Sequence, residues 1–391
     1  MCLYVKKCSQ QGSLCTLQFE LFNSSEHITT TLFIPYSCFI MSSLGRVQSK
    51  NLFNHLRLEG VYDEEVLAGK PAMPSMEEMV AKMMTIKDEG KAIAEFVRPM
   101  MDAMMEPLNK IPYFQEMLAA CTHELIEVPS ICENEPKVPV YIHKPKKLAG
   151  TKLNAALVYA HGGGVIAGTA KQMDKHLSRM AEVCGVIVFN VEYRLAPEAK
   201  APKNVEDMYS ALMYVVEHAE DLGVDKNKIG LFGESGGGQL TCALSVMLAQ
   251  KDQSHLVKVA IPSIPMLDDY CFGDLSCMTK EERDQAPMMR MVWNALAKDR
   301  KAQANDPLLF PSKATDEILS KFPPTVMYEV EFDMFITEAT RFASKLRAAG
   351  RLLDMVVVPG IGHGDAMEPK YKKFWEQTEI LDKIVKEYLI D

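Results

Sequence analysis

The 391-residue sequence predicts an α/β fold, a mostly parallel eight-stranded sheet flanked by helices, with a helical cap drawn from an N-terminal segment and from an insertion after the sixth strand. Three observations lead there. Six short apolar runs, "AALVYA", "VIVFNVEY", "KIGLFG", "VKVAIP", "TVMYEV" and "DMVVVPG", lack polar alternation, as strands buried on both faces do. Helical stretches at 205–220, 239–250, 336–349 and 371–388 are interleaved with them, and strand alternating with helix builds a parallel, doubly wound sheet. Ahead of these runs, "HELIEVPS" and "VPVYIHKP" do alternate and are joined by a Pro-containing turn, which suits an antiparallel pair at the sheet edge.

Taken in chain order, residues 1–45 have mixed composition and no assigned role, and Met41 is a candidate second start. Residues 46–122 form the helical cap segment. Within it Met76, Met79, Val80, Met83 and Met84, then Ile93, Phe96, Val97, Met100, Met101, Met104 and Met105, recur at three- and four-residue spacing and predict two amphipathic helices. Their Met-rich faces suit either an adaptable lid over an apolar ligand or the filling of an irregular core. Residues 123–391 are the catalytic domain, interrupted at about 268–321 by a strand-free insertion whose helix is "MMRMVWNALAKD".

Composition excludes some partners. The formal charge is −9 with no basic run, so a polyanion would be repelled and nucleic acid is not expected as a partner. Ten cysteines are scattered without C-x-x-C or zinc-ligand spacing, which favours free thiols in a reducing compartment. The first residues carry no signal-peptide pattern, and the apolar "TLFIPYSCFIM" is too short and polar to span a bilayer. A soluble cytoplasmic enzyme is expected, although Asn23 in "NSS" would accept a glycan in a secreted chain.

The chemistry centres on "KIGLFGESGGGQL". G-x-S-x-G alone arises by chance in on the order of one chain in ten of this length. Here Ser235 directly follows an apolar run and directly precedes a helix, with Gly233 and Gly237 where a tight strand-turn-helix bend would collide with side chains. A serine nucleophile needs a histidine base and a carboxylate to orient it, in the chain order Ser, acid, His for this kind of bend. Only His255 and His363 follow Ser235. His363, in "PGIGHGD" after the last strand, is at the carboxyl edge of the sheet, whereas His255 follows the helix that Ser235 starts. For the acid, Asp333 closes "TVMYEVEF", and its rival Asp268 sits where the insertion begins. An oxyanion hole is supplied by "YAHGGGVIAG", whose glycines let backbone N–H groups converge, and the N–H of Gly236 can complete it.

"HGGG" at His161, "YRLAPE" from Tyr193, "GESGGG" at Gly233, "NDPLLFP" from Asn305, "EFDMF" around Asp333 and "GIGHG" around His363 together resemble the hormone-sensitive-lipase-like branch of the α/β-hydrolases, which includes arylacetamide-deacetylase-type carboxylesterases. The resemblance runs from Leu125 to the last residue. It implies Ser235 as nucleophile, Asp333 as orienting acid, His363 as base, the N–H groups of Gly163, Gly164 and Gly236 as the hole, and His161 as a structural residue. It also implies a cap that joins the N-terminal helices to the insertion. Three departures stand out: Glu234 and Gly236 where the family commonly has Asp and Ala, Val165 in place of an aromatic, and Asp365 where Phe is common. The expected reaction is hydrolysis of small to medium apolar carboxylic esters through an acyl-enzyme, with no metal or organic cofactor and a small-molecule ester as partner. An amidase, deacetylase, lactonase or acyltransferase would use the same residues, and a small-molecule binder the same fold. Oligomeric state is open.

Overall fold

The computed structural model describes residues 2–11, 14–23, 26–35, 62–69, 89–105, 111–150, 153–269, 280–365 and 369–391. Met41, the expected helix carrying Met76 to Met84, and residues 270–279 of the insertion lie outside these, as do the side chains of Met104 and Met105.

The chain begins with three strands, β1 (Cys2–Gln11), β2 (Leu14–Asn23) and β3 (Glu26–Pro35), paired antiparallel in the order β1-β2-β3. No element is expected here from sequence. A period-two signal does exist from Leu17 to Leu21, where Gln18 and Glu20 alternate with apolar residues, but it covers half a strand. Helices α1 (Glu64–Gly69), α2 (Glu89–Met105) and α3 (Pro112–Ala120) follow.

The second sheet has eight strands: β4 (Cys121–Val128), β5 (Val138–Pro145), β6 (Asn154–Ala160), β7 (Ile187–Val191), β8 (Val224–Glu234), β9 (Val259–Ser263), β10 (Thr325–Phe332) and β11 (Leu352–Gly362). Their spatial order is β11-β10-β9-β8-β6-β7-β5-β4. The expected edge pair is antiparallel, with Leu125 opposite Tyr141, and β5 also runs antiparallel to β7; the pairings from β7 through β11 are parallel. Every residue of β7 and of β9 is buried, which explains their mostly apolar composition; the two polar exceptions, Asn190 and Ser263, are buried with them.

Helices cover both faces. On one, α4 (Asp174–Cys184) and α9 (Lys372–Val385) pack with α3, where Phe114 is fully buried edge-on to Phe374 at 6.0 Å. The buried Arg179–Asp382 pair, at 2.9 and 2.5 Å, joins α4 to α9. On the other face lie α5 (Lys203–Glu217) and α6 (Gly236–Gln250), the latter almost wholly buried, with α8 (Ile336–Ala348) beside β10 and β11. Burying one such Leu or Phe side chain contributes about 1.5–3 kcal/mol, so these faces dominate the folding free energy.

The inserted helix α7 (Lys280–Leu296) lies against α2: Gly90 is so close to Ala295 that a β-carbon there would stand 3.2 Å from its Cα. Ile93 is fully buried, and Phe96, Val97 and Met101 are packed on the same core. For these residues the apolar stripe of α2 is core.

Candidate active site

Ser235 sits where β8 gives way to α6, with φ 56° and ψ −115°, a conformation costly for any residue with a β-carbon and maintained only by its surroundings. Those surroundings are glycine. A β-carbon on Gly233 would lie 2.3 Å from the Gly237 carbonyl oxygen, and one on Gly237 would lie 2.0 Å from that of Ala160. The bend is further held by the Ser235 N–H, which donates to the Ser263 carbonyl at 2.9 Å.

The Ser235 hydroxyl is 2.9 Å from His363 Nε2, and His363 Nδ1 is 2.8 Å from Asp333 Oδ2. Asp333 follows β10 and is 2% exposed, and its second oxygen accepts the Phe335 N–H at 2.7 Å. Both oxygens are thus engaged, one fixing the carboxylate and the other the imidazole. The Phe335 ring closes on His363 edge-on at 5.0 Å. The loop carrying His363 is pinned by the Gly362 N–H, which donates to Asp365 Oδ2 at 2.8 Å; burial lifts the Asp365 carboxyl to about 6.

The two rivals lie elsewhere. Asp268 pairs with Lys313 at 2.6 Å, accepts the Asp269 N–H and donates its own N–H to Glu338, and it makes no contact with His363. His255 is in a short 3-10 turn before β9, at the opposite end of that strand from Ser263.

Facing the serine is the loop after β6. Gly163 and Gly164 have φ of 110° and 63°, and Val165, a β-branched residue, follows at 60°. The Ile166 and Ala167 N–H groups both donate back to the Gly163 carbonyl, closing a tight turn. His161 supports it from below: its Nδ1 is 2.8 Å from the Gly162 carbonyl, Tyr193 stacks on it at 4.3 Å, and the Tyr193 hydroxyl donates to the His161 carbonyl at 2.6 Å. Burial pushes His161 down to about 4, so it is neutral and cannot serve as a cation. Above the loop, α7 places Val292 Cγ1 3.5 Å from where a Gly164 β-carbon would be.

Three neighbours had no contact assigned to them from sequence. Phe335 closes "EFDMF" and Val292 lies in "MMRMVWNALAKD", but neither carried a signal for its contact beyond apolarity. Glu234 accepts the Tyr159 hydroxyl at 2.7 Å, tying the Ser235 bend to β6, and its place beside Ser235 was the available clue. Among the described residues no three His, Cys, Asp or Glu side chains cluster to hold a metal ion, and no helix is long and apolar enough to cross a membrane.

A family model described as alpha/beta hydrolase fold matches residues 157–367. An ethyl acetate hydrolase of Pseudomonas putida is 28% identical over 233 residues, 58% of this chain and 70% of that protein. Arylacetamide deacetylase of Rattus norvegicus is 32% identical over 158 residues, 39% of this chain and 38% of that one. The solved structure of a bacterial heroin esterase superposes with a TM-score of 0.70 at 25% identity, covering 85% of this chain and 99% of its own. The parallel sheet, the strained serine after its central strand and a match over more than half of the residues lead to one assignment: this chain belongs to the α/β-hydrolase fold family.

Proposed function

We propose that the protein is a serine carboxylesterase acting on small to medium apolar carboxylic esters. The observation that carries this reading is the unbroken hydrogen-bonded line from Ser235 Oγ through His363 to Asp333, at 2.9 and 2.8 Å. Ser235 Oγ attacks the ester carbonyl as His363 Nε2 takes its proton, while Asp333, oriented by the Phe335 N–H, stabilises the imidazolium. The carbonyl oxygen, now an anion, is received by the N–H groups of Gly163, Gly164 and Gly236. Collapse passes the proton from His363 to the departing alcohol oxygen, leaving the acyl group on Ser235. A water then gives a proton to His363 and attacks the acyl carbon; the bond to Ser235 Oγ breaks as His363 returns the proton to that oxygen, and the acid leaves.

Two relatives support ester and related acyl substrates, being named an ethyl acetate hydrolase and an arylacetamide deacetylase. The apolar preference rests on what lies above the glycine loop: Val292 of α7, with the buried Met289 and Met291 on the same helix. In this reading the cap is drawn from residues 46–122 and from the insertion at about 268–321, joined where α2 meets α7. Hydrolysis of p-nitrophenyl esters from acetate upward, with wild type beside Ser235→Ala, tests it. Turnover lost in the variant is expected, with an optimum among shorter chains; a folded wild type inactive on every ester would remove the reading.

A further inference from the structure

The strained stretch at Gly164 and Val165 must be over-determined by its surroundings, since two successive left-handed residues, one of them β-branched, do not persist unaided. One part of that restraint comes from the loop after β7, where the Ala196 N–H donates to the Val165 carbonyl at 2.9 Å. The other comes from a distant helix. Arg98 of α2 donates from Nε to the Ile166 carbonyl at 2.9 Å and from Nη2 to the Ala196 carbonyl at 3.2 Å. Its fork is held in plane by Glu198, which takes Nη1 at 3.0 Å and Nη2 at 2.7 Å.

We infer that Arg98 is a positioning residue for the glycine loop: its guanidinium clasps the carbonyls of Ile166 and Ala196 together and so holds the N–H groups of Gly163 and Gly164 facing Ser235. The inference rests on the esterase reading for its catalytic consequence, but the clasp itself does not. Five donors in a rigid plane suit this task, and an ammonium on a flexible stem does not. The ion pair with Glu198 is largely exposed and adds little by itself; its part is to orient the fork. Through Arg98, cap helix and oxyanion loop become one mechanical unit, so loss of the Arg98 contacts relaxes the hole.

The test uses the full chain in three variants. Arg98→Ala should lower kcat on p-nitrophenyl butyrate by about tenfold to a hundredfold, with KM changed less than twofold, because misaligned donors lose transition-state rather than ground-state contacts. Arg98→Lys should recover only part of this. Asp102→Ala removes a different tether of α2, to Gln172 at 2.5 Å, and should leave kcat unchanged. Hydrogen exchange read alongside should be faster over 162–168 in both Arg98 variants and unchanged over 236–250. Equal loss in Asp102→Ala, a change confined to KM, or unaltered exchange over 162–168 would overturn the inference. If Arg98→Ala fails to fold, Arg98→Lys carries both readouts. A wild type inactive on all esters would remove the esterase reading, and the exchange comparison would still decide the clasp.

Discussion

Gly236 lies so close under the glycine loop that a β-carbon on it would stand 2.6 Å from the Val165 amide nitrogen and 2.7 Å from that of Gly164. The residue after Ser235 and the opposing loop are therefore in direct backbone contact. Alanine, common at this position in the family the sequence resembles, does not fit here unless the loop retreats. Gly236→Ala should keep the fold and lower kcat on short esters on the order of a hundredfold, as for loss of one oxyanion donor. Activity within threefold of wild type would mean that the loop yields freely.

Replacing the acid tests the line behind Ser235. Asp333→Asn keeps the shape but removes the charge facing His363 Nδ1, which favours the wrong tautomer. A fall in kcat on the order of ten-thousandfold is expected, with the thermal midpoint little changed. The matching change at the rival site, Asp268→Asn, should cost no more than a surface ion pair and leave kcat as it was.

Glu329 on β10 is fully buried, both of its carboxyl oxygens lack a hydrogen-bond partner, and burial, then the nearby Asp333 and Glu338, hold its carboxyl well above the usual range. With the folded value raised above the unfolded one, near about 4.3, its contribution to stability is full below that pH. That contribution is lost as pH rises toward the folded value, because the unfolded chain ionises first. Glu329→Met should therefore stabilise the protein by about 1–3 kcal/mol at neutral pH, with a smaller gain near pH 4. Thermal unfolding at pH 4.5 and 8 checks the sign; an equal difference at both would show that the carboxyl is not held above its usual range.

Gly237→Ala probes the bend itself. With the Ala160 carbonyl oxygen 2.0 Å from the new carbon, and backbone on both sides, no side chain can give way. A loss of about 4 kcal/mol or more is expected, seen as failure to recover folded protein. Normal yield and a normal thermal midpoint would contradict this packing.

Some of this molecule was written in local pattern. Unbroken apolar runs marked β6 to β11 because a strand covered on both faces has no polar side to show, and the alternation in β4 and β5 marked an edge. Gly233, Ser235 and Gly237 were legible because a bend that tight leaves no room for side chains, a constraint of a few adjacent residues. Where a constraint is not local, sequence was silent or ambiguous. Asp268 and Asp333 both follow strands, and only the folding of β10 beside β11 brings the second to His363. The strand order β11-β10-β9-β8-β6-β7-β5-β4 depends on which faces can be buried together. Arg98 reads in sequence as one more charged residue on an amphipathic helix, because its partners, Ile166, Ala196 and Glu198, lie 68 to 100 positions away. Local sterics and periodicity are properties of neighbours along the chain, whereas hydrogen-bond complementarity between distant backbone groups exists only once packing has set their separation.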